Sequence, residues 1–329
     1  MKQKLLNYIV CPKCFHEFQL NILKLEDDEI ISGELLCKNC AESYPIIEGI
    51  PRIFSKEIKK KEAKTSKSFG HQWLLFPEFE KSKEYEFESY TQPHMNKHFY
   101  KGKIILDAGC GMGHSASVVA SYGAKEVIAV DFSNGIHVAY ERFKDINNIH
   151  FIQCDIHELP FKNIFDLIYS IGVLHHLPDP SKGFLRLVNK HLKGNGYIFV
   201  WLYAKEGNWI YITFFDSIRK NITSKLPIKI NVIGSAVLSA FLWVITNAIY
   251  KPLNRVKLNK ILPMNNYFIF FADLGFRRLW VNVLDKMIPP YQFYYSKENI
   301  ENLFKKGNLK NVEISFRNGN SWRGFGKKI

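Results

Sequence analysis

Acidic residues are scarce in the second part of this 329-residue chain. Residues 201–329 contain 20 Lys and Arg against 7 Asp and Glu, whereas residues 1–200 contain 25 against 24. The scarcity excludes an evenly charged surface, so this part is expected to face an anionic partner, namely a nucleic acid, a membrane surface or a phosphorylated substrate. The alternative is a basic face that is simply solvated.

The chain also lacks an apolar run of signal-peptide length before its first cysteine, which predicts a cytoplasmic location. Only six cysteines are present, and four of them form two C-x2-C pairs separated by 22 residues. In a cytoplasmic chain, such pairs favour a metal site over disulfides. Two tight turns of this kind present four thiolates to one tetrahedral ion. We therefore predict a structural Zn²⁺ site at Cys11, Cys14, Cys37 and Cys40.

The most informative segment that is present runs from Ile104 to Gly113, with the sequence IILDAGCGMG. Its apolar start predicts a buried parallel strand, and three alternating glycines predict a turn that a ligand can approach closely. Asp107 stands before the glycines and disfavours a pyrophosphate, because like charges repel. It suits a ligand that carries positive charge, such as an ammonium or a sulfonium group.

This segment resembles motif I of the class I S-adenosylmethionine-dependent methyltransferases, of the kind called methyltransferase type 11. Two further predicted strands end at Asp131 and Asp155, at the spacing of that family. The resemblance implies that Asp131 accepts hydrogen bonds from the ribose and Asp155 from the adenine amino group. The cofactor-binding residues that it implies are Asp107, Ala108, Gly109, Gly111, Asp131, Phe132, Asp155, Ile156 and Ser170.

A fourth predicted strand is followed by the residues GVLHHLPDP, which are similar to a turn common in the same superfamily. His175 or His176 is the candidate catalytic base, because an imidazole titrates near neutral pH. The alternative is that one histidine only packs. Tyr203 and Tyr291 are further candidates for the acceptor pocket.

Two other segments resemble parts of related proteins. Residues 44–52, YPIIEGIPR, resemble small zinc-ribbon proteins that partner methyltransferases. The FGHQW segment, with Phe69, His71, Gln72 and Trp73, is similar to one that precedes motif I in a ribbon-bearing subgroup. It is expected either to line the active site or to pack on the sheet as an aromatic helix.

The predicted fold is α/β, with a seven-stranded class I methyltransferase sheet, a helical cap insertion and a small N-terminal zinc ribbon. The predicted boundaries are 1–57 for the ribbon and 58–100 for a linker and helical segment positioned to cover the cofactor. The Rossmann-like core spans 101–203, the apolar and basic cap 204–285, and the last helix and strands 286–329. The expected cofactors are S-adenosyl-L-methionine and structural Zn²⁺.

Residues 230–250 contain no charged side chain, and this length is sufficient to cross a bilayer. A spanning helix would separate the last strands from their own sheet, so we favour a buried helix of the cap. A helix lying at a membrane surface, or a groove for a lipid-linked substrate, remains the alternative.

Two classes of function follow from these features. The first is methyl transfer to a small-molecule or glycan- or lipid-linked acceptor enclosed by the hydrophobic cap. The second is an RNA (rRNA or tRNA) methyltransferase that grips phosphates through the ribbon and the basic C-terminal part. The long apolar insertion favours the first. The methyl acceptor and its atom are not readable from the motifs.

Overall fold

One sheet of eleven strands runs through the computed structural model, which describes residues 1–54, 83–259 and 262–329. The strand order is β1-β2-β3-β4-β7-β6-β5-β8-β9-β11-β10. The strands are β1 (Phe18–Glu26), β2 (Glu29–Cys37), β3 (Ser43–Ile47), β4 (Ile50–Ile53), β5 (Ile104–Ala108), β6 (Glu126–Asp131), β7 (Ile149–Cys154), β8 (Phe165–Ile171), β9 (Leu192–Tyr203), β10 (Leu309–Arg317) and β11 (Ser321–Lys328).

Ten α-helices occur among the described residues. They are α1 (Lys83–Thr91), α2 (His114–Ser121), α3 (Gly135–Phe143), α4 (Pro180–Arg186), α5 (Asp216–Asn221), α6 (Ile228–Ile245), α7 (Lys251–Arg255), α8 (Asn265–Asp273), α9 (Phe276–Met287) and α10 (Lys297–Lys306). Ser296 begins α10 with a capping box, in which its hydroxyl accepts from Asn299 N.

Strands β5 to β9 are parallel, and most of their residues are buried. Both faces of a parallel sheet are covered by helices, which is why these strands are continuous apolar runs. Strand β11 lies between β9 and β10 and is antiparallel to both. The seven strands from β7 to β10 in spatial order confirm the predicted class I methyltransferase fold.

The N-terminal ribbon is part of the same sheet, a connection that the sequence did not indicate. Strand β4 pairs in parallel with β7, through Arg52 opposite Gln153 and Ile53 opposite Cys154. Without this pairing β7 would be an edge strand with unpaired backbone groups. Lys2 Nζ adds hydrogen bonds to the carbonyls of Lys144, Ile146 and Ile149, at 2.6, 2.9 and 3.0 Å.

The segment after β9 forms a helical cap, as predicted, but its longest helix is not buried. Residues 228–255 are continuously helical, and only 17% of the most apolar stretch is buried. The expectation of a buried helix is therefore wrong. The reason is that α6 packs on α9 through a polar stripe, formed by Asn231, Ser235 and Ser239, and leaves its apolar side outside.

Candidate functional site

A cavity of about 810 Å³ lies between the carboxyl ends of β5, β6, β7 and β8 and the helices α1 and α9. In open α/β sheets this is the edge where ligands bind. Seven of the nine residues predicted to bind the cofactor line it. They are Asp107, Gly109, Gly111, Asp131, Phe132, Asp155 and Ile156.

The other two predicted residues lie behind the cavity wall. Ser170 Oγ donates a hydrogen bond to the carbonyl oxygen of Ala108 at 2.8 Å, and both residues are buried. Their role as cofactor contacts stays a prediction, and the hydrogen bond between them links β8 to β5 beside the glycine turn.

The turn after β5 requires glycine. Gly109 has φ of 93°, and a Cβ atom built there would lie 2.3 Å from Val173 Cγ2. Gly111 and Gly113 also have positive φ, at 53° and 76°. Only glycine adopts this conformation without strain, so the backbone can lie directly against a ligand.

Asp131 is held at the end of β6 by two backbone donors. Its Oδ2 accepts from Gly111 N at 2.8 Å, and its Oδ1 accepts from Ser133 N at 2.7 Å. Each carboxylate oxygen has a second lone pair, which remains suited to a ribose hydroxyl. Asp155 is oriented in the same way, since its Oδ1 accepts from His157 N at 2.6 Å.

Asp107 is the group that most clearly fits a cationic ligand. It is 2% exposed, and its Oδ2 has no hydrogen-bond partner among the described residues. Burial raises the pKa of this carboxyl to about 8. A buried acceptor without a partner is costly, and an ammonium group such as that of the methionine part of S-adenosylmethionine would satisfy it.

Only one of the two candidate histidines reaches the cavity. His176 lines it, and its Nδ1 lies 3.0 Å from the carbonyl oxygen of Tyr291. A carbonyl accepts only, so Nδ1 carries the proton and Nε2 is the basic nitrogen. Burial lowers the pKa of His176 to about 4, so its ring is neutral at pH 7.

His175 does not contribute to the cavity wall and is fully buried. Its ring centroid lies 4.1 Å from that of Tyr203 and 4.3 Å from that of His176. Of the two alternatives, this position favours His176 as the candidate base. The side chain supports Tyr203 and His176 from behind.

The second half of the cavity is aromatic and closed by the cap. Tyr203 and Tyr291, proposed above for the acceptor pocket, line it together with Trp201. The motifs did not indicate the polar groups opposite them, which come from outside the core. These are Glu86 and Tyr90 on α1 and Arg278, Asn282 and Asp285 on α9.

An ion pair joins these two helices across the cavity. Two N–H groups on one edge of the Arg278 guanidinium donate to the carboxylate of Glu86, with Nε to Oε2 at 3.2 Å and Nη2 to Oε1. Arg278 and Asp285 are seven residues apart, a spacing that places them on one face of a helix. This spacing is the one signal in the sequence for this wall of the cavity. The FGHQW segment, by contrast, lies outside the described residues.

The four predicted zinc ligands come together in the ribbon. Their sulfur atoms all lie within 4.8 Å of one another, with Sγ–Sγ distances of 3.4 Å for Cys14–Cys37 and 3.6 Å for Cys11–Cys40. A tetrahedral ion with Zn–S bonds of about 2.3 Å requires sulfur separations of about 3.8 Å. The set fits one structural Zn²⁺, and Cys110 and Cys154 lie elsewhere, in the cavity wall.

Models of two known protein families match two segments of the chain. A model of the methyltransferase domain matches residues 105–196, and a model of Trm112p-like proteins matches residues 2–49. Among curated proteins, an uncharacterized protein from Synechococcus sp. is 40% identical over 111 residues, 31% of this chain and 26% of that protein. The tRNA U34 carboxymethyltransferase of Vibrio cholerae is 28% identical over 128 residues, 38% of this chain and 39% of that enzyme.

The chain thus spans between about a quarter and two fifths of the length of these relatives. Solved structures with a similar fold include human N-acetylserotonin methyltransferase with its cofactor, at 13% identity and TM-score 0.47, covering 82% of this chain and 59% of that one. A Haloferax volcanii complex between the Trm112 activator and a methyltransferase aligns at 11% identity and TM-score 0.45, covering 79% and 96%. From the two family matches, the strand order and the cysteine cluster, residues 105–196 belong to a methyltransferase domain of class I fold, and residues 2–49 form a Trm112p-like ribbon fused to it.

Proposed function

We propose that this protein transfers a methyl group from S-adenosylmethionine to a nucleotide of an RNA. The proposal is supported by the Trm112p-like ribbon and by the tRNA-modifying relatives of the methyltransferase core. These findings favour the second class of function given above. They do not support the small-molecule or lipid-linked acceptor that the sequence favoured.

The observation that carries the proposal is the aromatic wall beside the predicted methyl position. Trp201 and Tyr291 offer aromatic surface on which a base can stack, and Asn282 and Asp285 place polar groups in the same cavity. The cavity of about 810 Å³ lies in the upper part of the roughly 300–1,000 Å³ range of small-ligand sites. It therefore suits the cofactor plus a single extruded nucleotide, not a duplex.

The chemistry then depends mainly on alignment. S-adenosylmethionine supplies a methyl group bonded to a positively charged sulfur. Asp107, Asp131 and Asp155 orient the cofactor, while the cap excludes water and Trp201 and Tyr291 hold the base in line. Where the acceptor nitrogen or oxygen carries a proton, His176 Nε2 accepts it.

The test is methyl transfer from labelled S-adenosylmethionine into total RNA, purified tRNA and lipid extract from the source cells. We expect label in the RNA fractions, at a rate that falls steeply between about 50 and 200 mM salt because phosphate contacts release counterions. Label confined to the lipid extract or to small molecules would contradict the RNA assignment. It would restore the first class of function.

Replacing His176 with Ala should lower kcat by about 10²–10⁴-fold and change KM little, if the acceptor atom carries a proton. Because the pKa of His176 is lowered to about 4, kcat should be flat between about pH 6 and about pH 8 and fall towards pH 4. Exposed His98→Ala is the matched control. Unchanged kcat in His176→Ala would show that the side chain is not the base.

A further inference from the structure

The helix that crosses the cap has inverted polarity. Its buried stripe is polar and consists of Asn231, Ser235, Ser239 and Thr246, while its exposed side is apolar. The exposed residues are Ile230, Ile233, Val237, Leu238, Phe241, Val244 and Ile249. A helix on the surface of a water-soluble protein has the opposite arrangement.

Each buried polar side chain of the stripe donates one hydrogen bond inside the protein. Ser239 Oγ donates to Ser235 O at 2.6 Å, and Thr246 Oγ1 donates to Leu242 O at 2.7 Å. Asn231 Nδ2 donates to Thr223 O at 2.8 Å. The polar stripe is thus a defined packing surface towards the protein, so the outward direction of the apolar side follows from the fold.

The apolar surface extends beyond this helix. Trp209, Phe214, Phe215, Ile218 and Ile222 in and around α5 are exposed, as are Val256 and Leu258 after α7. Contiguous apolar patches on soluble proteins rarely exceed a few hundred Å², and larger ones mark interaction sites. The number of exposed apolar side chains on this part of the chain therefore points to an apolar partner.

Charge identifies the chemistry of that partner. Residues 217–272 contain eight Lys and Arg and no Asp or Glu. Lys225 and Lys229 are exposed at one end of the helix, and Arg255 and Lys257 at the other. None of these four makes an ion pair with a described residue. A second copy of the chain would place like charges against each other, whereas an anionic partner would neutralise them.

We propose that this surface, formed by the apolar side of residues 228–255 and its basic ends, binds to an anionic phospholipid bilayer. The apolar side chains enter the boundary between head groups and acyl chains, and the lysines and arginines contact lipid phosphates. The proposal is independent of the methyl acceptor, because no residue of α6 is among those that line the cavity.

The helix lies in the plane of the membrane and does not cross it. It packs along α9, which carries Arg277, Arg278, Asp285 and Lys286, and a crossing would carry these charges into hydrocarbon. Both ends of the helix also return to the same sheet through β9 and β11. The fold therefore permits the helix to insert into the bilayer only to the depth of its apolar face.

The test is flotation of the full zinc-loaded chain with vesicles. We expect binding to phosphatidylcholine vesicles that contain about 30 mol% phosphatidylglycerol, and much weaker binding to phosphatidylcholine alone. Val237→Glu with Phe241→Glu should lower the partition coefficient at least about tenfold, since each apolar side chain contributes to insertion. Lys225→Gln and Lys229→Gln should each lower it about fivefold at low salt.

Leu23→Glu is the matched control, because Leu23 is a 77% exposed apolar residue of the ribbon hairpin and should leave binding unchanged. The serine pair Val237→Ser and Phe241→Ser tests the same face without added charge. Unchanged thermal unfolding shows that each variant is folded. No flotation of the parent chain, or equal flotation of all variants, overturns the proposal. So does a dimer in solution that Phe241→Glu dissociates without any vesicle binding, because the surface would then join two copies.

Discussion

Asp107→Asn should lower the affinity for S-adenosylhomocysteine by about 30- to 1,000-fold while making the ligand-free protein more stable. The affinity falls because the amide replaces the buried carboxylate whose Oδ2 has no partner among the described residues and suits the ammonium group of the ligand, and a buried hydrogen bond to a charge contributes about 2–4 kcal/mol. Titration calorimetry measures the first effect, and thermal unfolding without ligand measures the second.

The gain in stability follows from the sign of the pKa shift. Burial raises the pKa of Asp107 to about 8 in the folded chain, against about 3.9 when unfolded. Between these values the folded state binds more protons, so its stability falls as pH rises from about 4 to about 8. The Asp107→Asn variant does not lose stability in this way, because asparagine does not titrate. The difference in melting temperature between variant and parent should therefore grow across that range.

The exposed Asp145 supplies the control, since Asp145→Asn makes the same change of charge on the surface. It should leave both affinity and melting temperature near those of the parent chain. If Asp107→Asn binds the ligand as tightly as the parent, the assignment of Asp107 to the ammonium group is wrong. Parallel melting curves at pH 5 and pH 8 would argue against a raised pKa.

Cys37→Ser should remove the zinc and unfold the ribbon. Structural Zn²⁺ contributes about 10–16 kcal/mol to the folding of small zinc domains. Because β4 pairs with β7, loss of the ribbon also exposes an edge of the methyltransferase sheet. We therefore expect aggregation and a lower melting temperature of the whole chain.

Metal analysis should find about one zinc per parent chain and almost none in the variant. Limited proteolysis should cut the variant within residues 1–54. Cys110→Ser, at a cysteine outside the cluster, should keep the zinc and the protected ribbon. A metal-free variant whose ribbon still resists protease would show that the ion does not hold the fold.

The sequence was sufficient for those features in which a local pattern and a fixed spacing determine the geometry. The glycine turn, Asp131 and Asp155 lie at strand ends, and parallel strands end at one edge of a sheet, so the strand order follows from the pattern. The two C-x2-C pairs are also a local pattern with a fixed spacing. The sequence did not indicate that Ser170 and Ala108 lie behind the cavity wall, because the direction of a side chain at a strand end depends on its neighbours.

The sequence by itself determined the methyltransferase core, the zinc ligands and the presence of a helix over residues 230–250. Only the tertiary structure decided that the ribbon extends the sheet through β4, that His176 and not His175 reaches the cavity, and that α1 and α9 close it. It also decided which side of the cap helix faces outward. An apolar helix has the same composition whichever side packs, because its orientation depends on the surface it meets and not on its own residues.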